Sequence, residues 1–549
     1  MPLAFRAAQL ISERRWQRWE RLTRQPRAAQ NQLLQKILRR NQTTAFGREH
    51  GFAHIQSVND YRRRVPVGDY ERFRPYIERA RQGENSVLTA EPILMFTMTS
   101  GSTGAPKLIP VTASTRTSHG RLTELWFSRL FHDHPACAAG KIFTLVGAAV
   151  EGHTAGGIPY GAASGLIYQS SPRWIRRAHA LPYELAEIKD FQAKYYVAMR
   201  MALEQDVTFL GTPNPSTLLR LVDTADRFRD NIIKDIHDGA LPSGYEIPRA
   251  IRAAIAPNRE RARELETFVE QQGRLRPCEY WPRLQLIGCW KGGSVGVRLK
   301  ELEAWFGAGT PTRDLGYLAS EAQMSLPVSD EGSAGILAVD ANFYEFIPET
   351  EIDSPRPVTL TCDELETGGI YYVILTTAGG LYRYDINDVI RVADFHGRTP
   401  LIEFLRKGRD VTNITGEKLH VNQVIEAMEQ AQRASAAKIA HFRACADVAA
   451  SRYAFMVEFD GTKTDKATLK HLLAELDRQL FAMNVEYADK RKSDRLKAPI
   501  LCVMKPGWFE RSVNSAQQRA ARDVQFKAQL LNATPENGDE ILFTIEATT

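Results

Sequence analysis

Residues 96–110 read Phe96-Thr97-Met98-Thr99-Ser100-Gly101-Ser102-Thr103-Gly104-Ala105-Pro106-Lys107-Leu108-Ile109-Pro110, hydroxyl residues and glycines packed together and followed by a lysine. Side chains this short let backbone N–H groups crowd a polyphosphate, the hydroxyls add donors, and Lys107 can bring a positive charge. The composition is that of a phosphate loop. It is not a Walker loop, because the lysine follows Pro106 and precedes Leu108, so G-x-x-x-x-G-K-[ST] fails. A bare S-G-S-T-G is equally a flexible turn; the full T-S-G-S-T-G-x-P-K run is much more specific.

The flanking sequence sets the fold class. From about Pro92 to Arg391, apolar runs such as Ile142 to Val146, Val207 to Leu210, Leu284 to Ile287 and Ile370 to Leu375 alternate with helical stretches and Gly/Pro turns. That alternation predicts an α/β body built on buried strands. Between Leu401 and Lys418 the chain becomes charged, with Arg406, Lys407, Gly408, Arg409 and Asp410 in a row, and a hinge is expected there. Beyond it Leu469, Leu472, Leu473, Leu476 and Leu480 mark an amphipathic helix, flanked by strand-like Tyr453 to Phe459 and Ile500 to Met504. The expected organisation is a large N-terminal domain, residues 1–403, and a small α+β domain, residues 404–549.

The N-terminal residues read differently. Arg14, Arg15, Arg18, Arg21, Arg24 and Arg27 interleave with Trp16, Trp19 and Leu22 in an amphipathic pattern. Such a face can serve RNA or a membrane surface, or be a solvated helix whose tryptophans dock on the body of the protein; the second reading is preferred. Leu33, Leu34, Ile37 and Leu38 fall on one helical face, after which Pro66, Pro75 and Pro92 predict a loop-rich stretch.

With 549 residues, 43% apolar and 25% charged, the chain can bury large cores and exceeds one ordinary domain. A net charge of +6 suits polyphosphate or carboxylate ligands without demanding nucleic acid. The six cysteines lie far apart and make no C-x-x-C pair, which argues against a disulfide framework or a zinc site and for a reducing cytoplasm. No apolar run is long enough to span a bilayer, and Arg6 and Glu13 interrupt any secretory core, so neither a membrane anchor nor an export signal is expected. His119, His132 and His134 lack metal-ligand spacing, no G-x-S-x-G elbow is present, and Gly292-Gly293-Ser294-Val295-Gly296 makes no Rossmann fingerprint. Hydrolase and dehydrogenase readings lose their usual anchors.

Thr99 to Lys107 resembles the phosphate-binding signature of the adenylate-forming superfamily. Leu315-Gly316-Tyr317-Leu318-Ala319-Ser320-Glu321 is similar to that superfamily's second core motif, an aromatic and small-residue turn ending in glutamate. Leu381-Tyr382-Arg383-Tyr384-Asp385-Ile386-Asn387-Asp388-Val389 is similar to the L-Y-R-Y-x-x-x-D-V form of the Gretchen Hagen 3 family, the acyl-acid amido synthetases known for conjugating plant hormones to amino acids. Stretches between Asn41 and Thr89, among them Phe46-Gly47-Arg48 and Val65-Pro66-Val67, and Val503-Met504-Lys505-Pro506-Gly507 near the end extend the likeness over nearly the whole chain in order. On this resemblance the chain is identified as a bacterial-type member. The implied fold is a large adenylate-forming N-terminal domain, with buried sheets flanked by helices, and a small mobile C-terminal domain.

The resemblance implies ATP and Mg²⁺ as cofactors, with a carboxylic acid and an amino acid as substrates. Thr99, Ser100, Gly101, Ser102, Thr103, Gly104 and Lys107 would hold the triphosphate, Ser320 would lie beside the nucleotide, and Glu321 would help bind Mg²⁺; outside its motif Glu321 reads as an ordinary helix-start carboxylate. Asp388 would accept both ribose hydroxyls, the alternative being a salt bridge to a neighbour such as Arg391. Asp385 and Asn387 stand where the plant pattern has Arg and Gly. Lys418 and Lys527 would supply charge to the adenylation transition state, although Ala528-Gln529 replaces the family's Thr-Pro after the second. Tyr317 and Tyr344 are the nearest aromatic candidates for adenine, and Arg116, His119, Arg121 and Arg200 are candidates to touch the acid. A ligase making a thioester with coenzyme A or a carrier protein is the alternative in the same superfamily, and a non-catalytic nucleotide or nucleic-acid binder is the alternative outside it. The expected enzyme works as a monomer, without nucleic acid or membrane.

Overall fold

The structure is a computed structural model that describes residues 3–99, 107–170, 173–292, 299–307, 309–352, 354, 356–408, 411–459, 465–509, 511, 531–532 and 540–546. The chain divides into two compact units, Met1–Met98 with Leu108–Arg406, and Thr99–Lys107 with Lys407–Thr549.

In the first unit a six-stranded sheet runs in the order Phe343–Pro348, Ile370–Thr376, Tyr384–His396, Thr399–Lys407, Gly335–Leu337, Ser325–Leu326. Ile370–Thr376 is buried along all but its first residue, which is why its sequence is a nearly unbroken apolar run. A parallel sheet is formed by Lys141–Thr144, Val207–Gly211, Leu286–Gly288 and Thr312–Arg313, and helices Phe191–Ala202 and Pro215–Arg227 contribute to the core around it. The strand that leads into the phosphate run, Ile93–Thr99, sits in a third sheet between Lys107–Thr112 and Pro159–Gly161.

The N-terminal helix, Leu3–Thr23, docks through its tryptophans. Trp16 and Trp19 are buried in a cluster with Leu122, Leu125 and Trp126, and the Trp19 Nε1–H donates to Asp340 Oδ1 at 3.0 Å. Arg14, Arg15, Arg18, Arg21, Arg24 and Arg27 stay on the exposed side. The stretch read as loop-rich instead carries two short helices, Val58–Arg64 and Tyr70–Arg81, the second with Pro75 inside it. Caps and burial outweigh the proline: Asp69 accepts from the Glu71 N–H, and Tyr70, Phe73, Ile77 and Ala80 are buried along one face.

One buried ion pair ties these parts together. Arg383 Nε donates to Glu345 Oε2 at 2.7 Å and its Nη2 to Oε1 at 3.1 Å, while Nη1 donates to the carbonyls of Arg62 and Val65. Arg62 and the Thr359 hydroxyl also serve Glu345 Oε1. Strand Phe343–Pro348, helix Val58–Arg64 and the Leu381–Tyr384 segment are thereby fixed to one another.

The second unit is α+β. Its five-stranded sheet runs Leu531–Asn532, Ile439–Asp447, Arg452–Phe459, Ile500–Met504, Ile541–Glu546. Leu469, Leu472, Leu473, Leu476 and Leu480 of helix Lys466–Met483 are all buried in its core.

Removing the charge at Glu345 leaves two guanidinium groups uncompensated. Glu345→Gln is expected to cost about 3–5 kcal/mol in urea unfolding followed by tryptophan fluorescence. A cost below about 1 kcal/mol, the scale of an exposed pair, contradicts this account.

Candidate functional site

Two sequence motifs of the first unit, Leu315–Glu321 and Leu381–Val389, meet through tyrosine hydroxyls, and the strand before the phosphate run touches the first of them through one backbone contact. The strand carrying Thr97 enters the phosphate run, and the Thr97 hydroxyl reaches the carbonyls of Ile109 at 3.3 Å and Ser320 at 3.5 Å. Beside Ser320, Glu321 Oε1 takes the Tyr384 hydroxyl at 3.4 Å. Tyr317 donates to Asp388 Oδ2 at 2.6 Å. Burial, and then the Asp388 carboxylate, push the Tyr317 phenol well above its ordinary value; burial and then Glu321 do the same for Tyr384. Both therefore remain protonated donors to carboxylates.

Glu321 is buried in a turn between strands, so the helix-start reading does not apply. Its Oε2 is buried and makes no hydrogen bond among the described residues. Asp388 is buried as well, and Arg391 pairs with Glu403 instead of with it. The turn before Asp388 is a bulge: Ile374 opposes Asp385 and Tyr372 opposes Val389, so residues 386–388 are pushed out of register. Asn387 has φ +56°, and its N–H is held by Asp385 Oδ1 at 2.7 Å. Asparagine tolerates this left-handed conformation better than other non-glycine residues, which explains how the pair stands where the plant pattern has Arg and Gly.

Tyr344 is a correction. It is 0% exposed, its hydroxyl takes the Asn342 Nδ2–H, and its ring lies against Phe346, so neither face is open to adenine. The Tyr317 hydroxyl is engaged by Asp388, and its ring lies beside Phe404. Arg200, also 0% exposed, donates to the carbonyls of Asp235, Ala240 and Ala256 and pairs with Glu204 within a helical core. Arg121 is held by Asp340. Arg116 is exposed, whereas the His119 Nε2 is buried without a hydrogen-bond partner among the described residues. Ser100, Gly101, Ser102, Thr103, Gly104 and Lys527 lie outside the described residues, as does the side chain of Thr99.

In the second unit Lys418 sits at φ +41°, a costly conformation for a lysine that its surroundings impose. Glu417 is buried and accepts from the N–H groups of Ile414 and Thr415 and from the Tyr453 hydroxyl, and the Asn484 amide donates to the carbonyls of Glu417 and Lys418. Burial, then the charges of Lys107, Lys407 and Lys418, drive His420 down to about 3. Glu417, Asn484 and His420 were missed in the sequence because their signal is a contact between distant segments.

The comparisons with known proteins agree with one another. The model described as the GH3 family N-terminal domain matches residues 15–312, the central domain 335–407 and the C-terminal domain 422–536. Indole-3-acetic acid-amido synthetase GH3.10 of Arabidopsis thaliana is 26% identical over 91% of this chain and 91% of its own length. Jasmonoyl--L-amino acid synthetase JAR4 of Nicotiana attenuata is 24% identical over 93% and 92%. Among solved structures, the AtGH3.15 acyl acid amido synthetase in complex with 2,4-DB superposes with a TM-score of 0.66 at 20% identity, covering 98% of each chain. 2-Hydroxyisobutyryl-CoA ligase in its thioesterification state gives 0.52 at 13%, covering 92% and 89%. At these identities the structural likeness speaks to the fold alone.

A histidine whose folded pKa lies below its ordinary 6.5 adds stability that is full above pH 6.5 and is lost as pH falls toward the folded value. The His420 ring is expected to show no titration between pH 8 and 5 by histidine-ring NMR, and His420→Asn to flatten the decline of stability below pH 6.5. A His420 midpoint near the ordinary value contradicts this.

Proposed function

The chain belongs to the GH3 family, and on that premise we propose that it activates a carboxylic acid with ATP and transfers the acyl group to an amino acid, forming an amide. The observation that supports the reading most is the pairing of Tyr317 with Asp388 and of Tyr384 with Glu321, which gathers two buried carboxylates from separate motifs. In the first step an oxygen of the acid attacks the α-phosphorus of ATP, and the bond to the β-phosphate breaks to release pyrophosphate. In the second the amine attacks the acyl carbon, the bond to AMP breaks, and the nitrogen's proton leaves to solvent.

Asp388 takes the ribose hydroxyls, Thr99 to Gly104 with Lys107 take the phosphates, and Ser320 lies beside the nucleotide. Lys418 and Lys527 bring positive charge to the departing pyrophosphate. Magnesium, when bound, neutralises phosphate oxygens. Glu321 is the residue to hold it, because its Oε2 has no other partner among the described residues and one carboxylate suffices when phosphates and waters fill the remaining positions. Residues 1–403 form the ATP- and acid-binding domain of this reading and residues 404–549 the small domain.

The six free cysteines support a reducing compartment, the cytoplasm, and no described helix is long and apolar enough to cross a membrane. A monomer is proposed because one chain carries every motif. The finer placement as a bacterial-type member rests on the departures at Asp385, Asn387 and Ala528, set against named relatives that are all plant enzymes.

Pyrophosphate release measured across indole, jasmonate-like, aryl and fatty acids, with amino acids or coenzyme A, is expected to yield an amide product by mass spectrometry. Asp388→Ala is expected to lower kcat/KM for ATP by about a hundredfold or more, the loss of two charge-assisted contacts. A thioester without amide, or wild-type kcat/KM in the variant, contradicts the reading.

A further inference from the structure

Asp314 belongs to none of the motifs, yet its carboxylate joins the Lys291–Gly292 segment to the Leu315–Glu321 turn. It lies at the end of strand Thr312–Arg313, just before the Leu315–Glu321 turn. Its Oδ1 accepts the Gly316 N–H at 2.6 Å and its Oδ2 the Lys291 N–H at 2.6 Å, and the Gly292 N–H bears on it as well. Its carbonyl takes the Trp126 Nε1–H at 3.0 Å. The Trp290 indole closes the same junction by donating to the Gly316 carbonyl at 3.1 Å. Gly316 has φ +88°, and a Cβ there would stand 2.5 Å from the Ser325 carbonyl oxygen, so this turn tolerates little rearrangement. The next residue is Tyr317, whose N–H is held by the Ser325 hydroxyl and whose own hydroxyl reaches Asp388.

We propose that Asp314 is a positioning residue for nucleotide binding: its ionised carboxylate clamps the Lys291–Gly292 turn to Gly316 and so holds Tyr317 in reach of Asp388. The inference rests on the ribose role given to Asp388 above.

The groups around it explain why the clamp responds to pH. Burial raises the Asp314 carboxyl to about 6, against the backbone N–H bonds and the Lys291 charge, which lower it. The Cys289 thiol is pushed up to about 12 and stays neutral. Neighbouring Arg313 is turned to Asp133 and Asp330, and Asp330 also takes His134. A protonated Asp314 presents a hydroxyl where a backbone N–H needs an acceptor, so acid loosens the clamp. Acid does not unfold the protein through this group. A carboxyl whose folded pKa lies above its unfolded one binds its proton more tightly in the fold, so its contribution to stability is full at low pH and is lost as pH rises through about 6.

The test is the affinity of the full chain for a fluorescent ATP analogue between pH 5 and 8, for wild type and Asp314→Asn, with thermal unfolding alongside. The γ-phosphate titrates equally for both proteins, so the difference between the profiles is the readout. Asparagine sets an N–H against one side of this set of backbone N–H groups. The expected result is binding about tenfold weaker in the variant at pH 8, with the two affinities converging as pH falls through about 6. A variant whose affinity tracks wild type at every pH overturns the proposal, and so does a variant that only melts earlier. If wild type binds ATP but releases no pyrophosphate with any acid, the synthetase reading fails while this comparison still decides the clamp.

Discussion

Arg383 and Glu345 are both buried, and the placement of the Leu381–Val389 segment in the first unit depends on their pairing. Each ion alone would be expelled from such a place; together, and with Thr359 and the Arg62 and Val65 carbonyls completing the donor and acceptor count, they are retained. The pair also explains a strained backbone. Arg383 has φ +47°, a conformation costing about 1–3 kcal/mol, whereas an unpaired buried charge costs about 3–5 kcal/mol, so the electrostatic term decides the local shape. With Arg383 fixed, Tyr384 is set toward Glu321, and the bulge four residues on sets Asp388 against Tyr317.

Those consequences are chemical. Two carboxylates that bind nothing would be poorly stabilised in a buried site, and each has been given a tyrosine that stays protonated. Such donors hold the carboxylates in place. A ligand that adds hydroxyls to one and a cation to the other meets a prepared geometry, and low local polarity makes each contact worth more than in water. The second unit uses the same device at Lys418, where buried Glu417 and Asn484 hold a backbone that a lysine would not adopt by itself.

Much of the architecture was legible in the sequence because it rests on local periodicity. The runs at Val207 to Leu210 and Ile370 to Leu375 are strands buried on both sides, and the leucines from Leu469 to Leu480 form one buried helix face. Tryptophans at Trp16 and Trp19 distinguished a docked helix from a free basic arm. What misled was composition without context: Pro75 suggested a loop where an Asp69 cap and four buried side chains hold a helix, and Tyr344 suggested a stacking face where the ring is sealed in the core. Glu345, Glu417 and Asp314 could not be found in advance, since an isolated acid in a sequence carries no mark of the partners that folding will bring to it.

The central claim is that acid activation precedes, and is separable from, attack by the amine. The most direct measurement is exchange of labelled pyrophosphate into ATP with the carboxylic acid present and no amino acid. Exchange that requires the acid and persists without any amine is what the account predicts. Exchange that appears only when the amine is added contradicts it.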